Sequence, residues 1–586
     1  MTRIAVWAPR ADRVEVQTGG RRLPLGRMDG GWHALDALDA QAGDDYWLVL
    51  DGGRPLPDPR SAWQPDGVHG ASRLIDHGAF SWRDDQWHGR ALPDTVVYEM
   101  HCGTFSRAGT FDGAIEHIGH LVDLGVGAVE VMPVAAFPGS RGWGYDGVAL
   151  YAVHQAYGGP PALKRFVDAA HRAGLAVIMD VVYNHLGPDG NVLGEFGPYF
   201  TDRHRTPWGG AVNFDGAGSD EVRRFVVDNA RMWLRDYHID GLRLDAVHAI
   251  IDTSAVHIVE EIATAVHGLG EALGRRTWVI AESDLNDPRL VTDPRVGGYG
   301  ADAQWSDDFH HALHATLAGE TAAYYADFGA VADAEAALRQ VFVNPGQYSA
   351  FRGRRHGRNV GDLSATRFLG YMQNHDQVGN RARGERSAAL MSVGRLQIAA
   401  ALVLLGPFVP MLFMGEEWAA STPFLYFTDH EDAALGRAVS AGRRQELASL
   451  GWSPAEVPDP QDTTSFELST LDWDEAGNPP HATVLRWHCE LIALRAANPA
   501  LRDGDRAAMA IEHDDDARTL VVRRAGVTVA CNWGRAPVTL AADAGQAAHG
   551  LSDGATAGEG WVALEPDSVA VLTAAGVVNG RAAPPP

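Results

Sequence analysis

Residues 175–182 read LAVIMDVV, Leu175 to Val182, and the reading of this stretch decides the fold. Only Asp180 interrupts an apolar run that does not alternate. A strand with one wet face alternates apolar and polar residues, whereas a strand covered on both faces need not. The stretch therefore reads as a strand of a parallel sheet with helices on either side. Seven more runs of this kind stand along the chain: Thr95–Met100, Ala128–Val134, Gly241–Ala246, Trp278–Ser283, Ala301–Trp305, Phe368–Asp376 and Pro410–Glu417. Helical segments separate them. Eight such units predict an α/β fold, a closed (β/α)8 TIM barrel rather than an open sheet. The long gap between the third and fourth runs, about 184–220, is rich in Gly, Pro and Asn. It reads as an excursion at the top of the barrel, where such loops build sites.

The texture changes on both sides of this region. Residues 1–90 carry short alternating runs, Ile4–Trp7, Val14–Val16 and Tyr46–Leu50, separated by turns at Gly19-Gly20 and Gly52-Gly53. That pattern predicts a small antiparallel, immunoglobulin-like β-sandwich. The barrel is expected over residues 91–499. From 500 to 586 β-runs return at Leu520–Arg523, Val527–Asn532, Val538–Ala541 and Val569–Thr573, a C-terminal β-sandwich. The tail Ala582–Pro586 is expected to be disordered.

Composition excludes several function classes. The 586 residues include 49 Lys plus Arg against 75 Asp plus Glu, a net charge of −26. Such an excess of acid opposes a main role in holding nucleic acid or an anionic membrane. Three cysteines, Cys102, Cys489 and Cys531, are too few for a disulfide scaffold and suit a reducing compartment. The N-terminus has no apolar signal segment, and a cytoplasmic location is expected. Ile398–Gly415, IAAALVLLGPFVPMLFMG, is uncharged and nearly long enough to span a bilayer. Gly406, Pro407 and Pro410 break it into a buried helix and a buried strand.

Barrel enzymes carry their chemistry at the C-terminal ends of the strands. The third run ends in Asp180–His185, the fourth in Asp245, the fifth in Glu282 and the seventh in Asn374-His375-Asp376. Four of the eight strand ends thus carry carboxylates to one rim. Asp245 and Glu282 are on adjacent strands. Two carboxyls about 5 Å apart suit retaining glycoside hydrolysis and a wider pair suits inversion, a choice the sequence leaves open. Arg243, two residues before Asp245, shares its face and would favour the ionised carboxylate. His185, His248 and His375 gather near this rim without metal-ligand spacing and without Cys ligands. They read as neutral rings bonding sugar hydroxyls, with no metal and no cofactor. Trp143 and Tyr145 follow the second strand, Trp208 lies in the excursion, Trp305 ends the sixth strand and Trp418 follows the eighth. Such rings can stack on sugar faces. Of His310 and His311, one reads as a sugar contact and the other as structural.

With these residues in view, the chain resembles the α-amylase family of glycoside hydrolases. Asp180–His185, Gly241–Asp245, Ala281–Glu282 and Asn374–Asp376 look like its four short signature regions, in order. The resemblance implies Asp245 as nucleophile, Glu282 as general acid/base and Asp376 as the carboxylate that binds ring hydroxyls. It implies Arg243, His185, His375 and Tyr145 around the sugar under attack. Longer strings, Thr206–Asp215, Asp240–Ile250, Asp302–His311, Gln373–Arg386, Met414–Trp418 and the opening Val6–Val16, resemble the maltooligosyltrehalose trehalohydrolase branch of that family. Many amylases carry Lys-His three and four residues after the nucleophile, where this chain has His248 and Ala249. The narrower resemblance implies hydrolysis of the α-1,4 bond beside the terminal trehalose of maltooligosyltrehalose, releasing trehalose. It also implies a functional partner, maltooligosyltrehalose synthase. Positions chosen for the trehalose side are His248, Trp208, Trp305, Asp307, Phe309, His310, Gln377 and Glu417. The rival readings are a glycogen branching enzyme or other α-glucan transglycosylase, and a non-catalytic carbohydrate-binding protein.

Overall fold

The computed structural model describes residues 2–574. The Pro-rich tail, Ala582–Pro586, lies outside the described residues. Eight parallel strands close on themselves: β1 Val97–Met100, β2 Ala128–Val131, β3 Ala176–Val181, β4 Gly241–Leu244, β5 Trp278–Ala281, β6 Ala303–Trp305, β7 Phe368–Tyr371 and β8 Val409–Phe413. Each pairs with the next, and β8 pairs with β1. Every residue of these strands is buried, as the unbroken apolar runs require.

Several strands are shorter than the runs that announce them. Phe368–Asp376 stops being strand at Tyr371. Asn374 then caps the short helix His375–Gly379, its side chain accepting from the Gln377 N–H. In Ala128–Val134 the strand ends at Val131, just before Met132-Pro133. In each case the chain leaves the sheet where its last residues enter the loops at the C-terminal rim.

Between the strands run α1 Gly159–Arg172, α2 Ser219–Asp236, α3 Ile258–Leu273, α4 Asp307–Ala318 and α5 Val393–Leu404. The uncharged stretch near Ile398 is α5 followed by β8, all buried, and no helix among the described residues is long and apolar enough to cross a membrane. The excursion is more regular than its composition suggests. It holds an antiparallel hairpin, Phe200–Thr206 with Gly209–Val212, whose tip is Pro207-Trp208. Beyond the eighth strand come two long helices, α6 Ala433–Ser449 and α7 His481–Ala497.

Antiparallel sheets flank the barrel. At the N-terminal side Thr2–Trp7 pairs with Trp32–Leu38, and Val14–Thr18 pairs with Asp45–Leu50. At the other side a five-stranded sheet contains Thr519–Arg524, Val527–Asn532 and Ser568–Ala574, facing a three-stranded sheet that includes Trp561–Leu564. Val521, Ala530, Val562, Leu564, Ala570 and Leu572 form the apolar layer between them.

Arg495 on α7 shows how the C-terminal half is tied to the barrel. It is 2% exposed and donates to the carbonyls of Leu404 and Gly406 at 3.0 Å and of Phe408 at 2.7 Å. These carbonyls end α5 and lead into β8, where the helix leaves acceptors unpaired. Each buried acceptor left without a donor costs about 1–3 kcal/mol. Arg495→Met is therefore expected to lower the melting temperature by several degrees in scanning calorimetry. A transition unchanged from that of the parent protein would show that the carbonyls find other partners.

Candidate active site

The site is assembled from alternate residues of neighbouring strands. Asp180 of β3 and Arg243 of β4 are register partners, so both side chains point into the barrel. Arg243 has no exposed surface, yet three carboxylates surround it. Its Nη1 is 2.6 Å from Asp180 Oδ2 and 3.1 Å from Asp245 Oδ1, and its Nη2 is 2.7 Å from Glu282 Oε2. The guanidinium carbon lies 4.2 Å from the centroid of the Trp305 ring, so a flat aromatic face floors the cation. One guanidinium thus bridges the two carboxyl groups that sequence reading paired, and holds them near each other.

The backbone after β4 completes this arrangement. Ala246 takes a left-handed conformation, φ 38°, unusual for a residue with a side chain. Its N–H donates to Glu282 Oε2 at 2.7 Å. The Asn184 amide donates to Asp245 Oδ2 at 2.6 Å and to its carbonyl at 2.7 Å. Burial pushes the Glu282 carboxyl up, Arg243 pulls it back, and the charge of Asp245 raises it further. Burial likewise pushes Asp180 up to about 7 against the pull of Arg243.

A second cation lies on the other side. His375 Nδ1 contacts Glu99 Oε1, while its backbone N–H donates to Glu99 Oε2 at 3.0 Å. Tyr145 donates its hydroxyl proton to Asp180 Oδ2 at 2.7 Å, so its oxygen accepts from His375 Nε2 at 2.8 Å. Both ring nitrogens then carry protons, the geometry of an imidazolium. Burial opposes that charge, but Asp376 and Glu99 outweigh it and raise His375 to about 9. His375 is therefore charged, against the neutral ring expected from sequence. His185 is different: burial pushes it down to about 4, Nε2 faces the Tyr145 carbonyl at 3.0 Å, and Trp208 stacks on it at 4.2 Å.

A cavity of about 800 Å³ opens above these groups. Tyr145, His185, Trp208, Asp245, His248, Glu282, His375 and Asp376 all line it, with Arg243 beneath. Trp208, stacked on His185, is 50% exposed at the mouth. Asp307 and Gln377 stand beside this group. Asp307 Oδ1 accepts from the Tyr371 hydroxyl at 2.5 Å and lies 3.4 Å from Gln377 Nε2, and burial pushes its carboxyl up to about 7.

Of the eight expected leaving-side contacts, Trp208 and His248 line the cavity, Asp307 and Gln377 stand beside it without lining it, and four are packed away from it. Trp305 is 1% exposed and lies under Arg243, filling the barrel. Phe309 is fully buried against Phe408, because its position on α4 faces the barrel wall. His310 bonds the Met372 carbonyl at 2.7 Å and the Tyr325 hydroxyl at 2.9 Å, both inside the core; His311 is buried as well, and neither lines the cavity. Glu417 accepts from the Tyr98 hydroxyl at 3.0 Å and lies 2.8 Å from His120 Nε2, closed off from the cleft. Trp418 is buried too, against Trp473 and His120.

Other groups at the site were not singled out by sequence reading. Glu99 and Glu130 are acids inside apolar strands, VYEM and AVEV, and that interruption was a legible signal. Asp146 follows Tyr145 in the loop after β2. Gly144 in that loop has φ 101°, and an added Cβ would fall 2.1 Å from the Pro133 carbonyl oxygen. Arg443, Glu446 and Tyr426 close one side of the cavity from α6 and the segment before it. Nothing local in the sequence marks them. Among the described residues, no group of three or more His, Cys, Asp or Glu is placed to hold a metal ion.

The His375 cluster makes a prediction about pH. A histidine whose folded value exceeds its unfolded value near 6.5 stabilises the fold fully below 6.5. That contribution is lost as pH rises through about 9. The melting temperature of the parent protein should thus fall between pH 6.5 and 9 more steeply than that of His375→Gln. Parallel curves would mean that His375 is not charged in the folded state.

Comparison with known proteins identifies the family. The family described as alpha amylase, catalytic domain, matches residues 82–197, and a domain of unknown function, DUF3459, matches residues 504–571. The malto-oligosyltrehalose trehalohydrolase of Rhizobium sp. (strain M-11) is 50% identical over 548 residues, 92% of each chain. That of Arthrobacter ramosus is 53% identical over 502 residues, 85% of this chain and 87% of its own. A Salmonella typhimurium crystal structure at 1.4 Å, provisionally named an alpha amylase, superposes with a TM-score of 0.89 at 36% identity, covering 97% of both chains. With the closed barrel and its rim of carboxylates, these similarities place the chain in the malto-oligosyltrehalose trehalohydrolase family of glycoside hydrolases, within the wider α-amylase family.

Proposed function

We propose that the chain hydrolyses the α-1,4-glucosidic bond next to the terminal trehalose of maltooligosyltrehalose, with retention, through Asp245 and Glu282. The observation that carries this reading is the single guanidinium of Arg243 touching both carboxylates. It keeps Asp245 next to a fixed positive charge, as a carboxylate nucleophile needs. Glu282 is pushed the other way by burial, as a group that must hold a proton needs.

In the first step Asp245 attacks the anomeric carbon while the Glu282 proton passes to the glycosidic oxygen. The C–O bond to trehalose breaks and trehalose leaves. Glu282, now a carboxylate, takes a proton from water. The resulting hydroxyl displaces Asp245, and the shortened maltooligosaccharide departs with Glu282 protonated again. Asp376, His375 and His185 hold the attacked glucosyl unit, and Tyr145 covers it. The trehalose side falls to His248 and Trp208, which line the cavity, with Asp307 and Gln377 beside them. The enzyme acts in the cytoplasm beside a maltooligosyltrehalose synthase that makes its substrate. The three cysteines are unpaired, as in a reducing compartment.

Asp245→Asn and Glu282→Gln are each expected to lower kcat by at least about 10³-fold with little change in melting temperature. Activity within tenfold of the parent in either variant would remove that residue from its role. Product analysis tests the substrate. Incubation with maltotriosyltrehalose should release trehalose much faster than maltopentaose is cleaved. Equal rates on the two would make the enzyme an amylase, and new α-1,6 branches on amylose would make it a branching transferase.

A further inference from the structure

Asp376 meets the charged His375 ring at 3.5 Å, Nε2 to Oδ2, a contact too long to fix its rotamer. Its side chain is 36% exposed, and it lies at the start of a five-residue helix. The hydrogen bond its carboxylate receives comes from Asn380, whose Nδ2 donates to Asp376 Oδ1 at 3.1 Å. The Asn380 backbone N–H also donates to the Asp376 carbonyl at 2.8 Å. An Asn side chain could present either its oxygen or its nitrogen to this carboxylate, and only the nitrogen binds it. What sets the amide is Arg443. Its Nη1 donates to Asn380 Oδ1 at 3.1 Å, and a guanidinium has no acceptor to offer. With the oxygen engaged there, the amide hydrogens turn toward Asp376.

Arg443 is itself firmly held. Its side chain is 8% exposed. Nη2 donates to the Gly379 carbonyl at 2.7 Å, Nη1 is 3.0 Å from Glu446 Oε2, and the cation lies 5.2 Å from the Tyr426 ring centroid. On the opposite side of the loop, Trp143 packs so close to Gly379 that a Cβ there would fall 2.1 Å from the indole. The turn carrying Asp376 is thus clamped between Trp143 and α6.

We propose that Asn380 and Arg443 are positioning residues: α6, through Arg443 and the Asn380 amide, fixes the rotamer in which Asp376 meets the sugar hydroxyls. This rests on the role proposed above for Asp376. A carboxylate that gains its value as the sugar distorts toward the transition state must already be aimed, because reorienting it during the reaction would raise the barrier.

Asn380→Asp tests this. Aspartate has nearly the shape of asparagine and still accepts from Arg443, so packing is kept, but it cannot donate to Asp376. The expected result is a fall in kcat of about 10–100-fold, with KM within about threefold and the melting temperature unchanged. Arg443→Lys keeps the charge but cannot bind Asn380 and Gly379 together as the planar fork does. It should lower kcat less, and the double variant should be no worse than Asn380→Asp alone. Near-parental kcat in Asn380→Asp, or full additivity in the double variant, would overturn the proposal. If a variant folds poorly, seen as a lowered melting temperature, the other single variant decides. The parent enzyme assayed in parallel on maltotriosyltrehalose separates the two levels. Parental failure to release trehalose sinks the substrate reading, while parental release with unaffected variants sinks only this positioning role.

Discussion

The rim of carboxylates depends on one buried cation. Taking the Arg243 guanidinium out of water is costly unless several partners satisfy it. Asp180, Asp245 and Glu282 place opposite charge within 3.1 Å of it, and Trp305 lies beneath. The dependence runs both ways. Without the cation, three carboxylates would crowd one end of the barrel and repel one another. With it, each has a fixed place and a different fate. Asp180 is shared with Tyr145, Asp245 is bound by Asn184, and Glu282 is met by the Ala246 N–H. The strained backbone at Ala246 is where the chain accommodates that last contact.

Around this centre the barrel interior holds more acid than base. Glu99 is matched by His375. Glu130, its register neighbour on β2, is 1% exposed, and neither carboxyl oxygen has a hydrogen-bond partner in the protein. Burial raises it far above the usual carboxylate range, and the charge of Glu99 adds to that. Its burial inside an apolar strand thus favours the neutral carboxyl. Tyr145 links the two charged halves, touching both Asp180 and His375. Asp180, Tyr145, His375 and Glu99 thus form one hydrogen-bonded unit.

Much of the architecture was legible in the sequence because burial on two faces leaves a strong trace. All eight barrel strands lie within one residue of the runs that announced them or inside them, since a parallel strand between helices has no polar side to show. The carboxylates at the strand ends were legible for a related reason: polar residues there can only face the rim. Glu99 and Glu130 left the same kind of trace, an acid inside an apolar run. The leaving-side residues were harder. Phe309, His310 and Glu417 sit in strings that resemble the family closely, but resemblance does not distinguish a residue that touches substrate from one that supports it. Their burial decides that, and burial on a helix depends on which face meets the barrel.

By itself the sequence determined the class of fold, the closure into eight units and the gathering of carboxylates, Asp245 and Glu282 among them, at one rim. These follow from local periodicity and from residue types at strand ends. Only the tertiary structure decided that one guanidinium bridges Asp245 and Glu282, that His375 is charged, and that Arg443, 67 residues beyond Asp376, bonds the loop that carries it. The reason is physical. Periodicity records whether a side chain is wet or dry, which each residue carries with it. The charge and orientation of a group depend on what stands within about 3 Å of it, and here those neighbours come from strands and helices far apart in the chain.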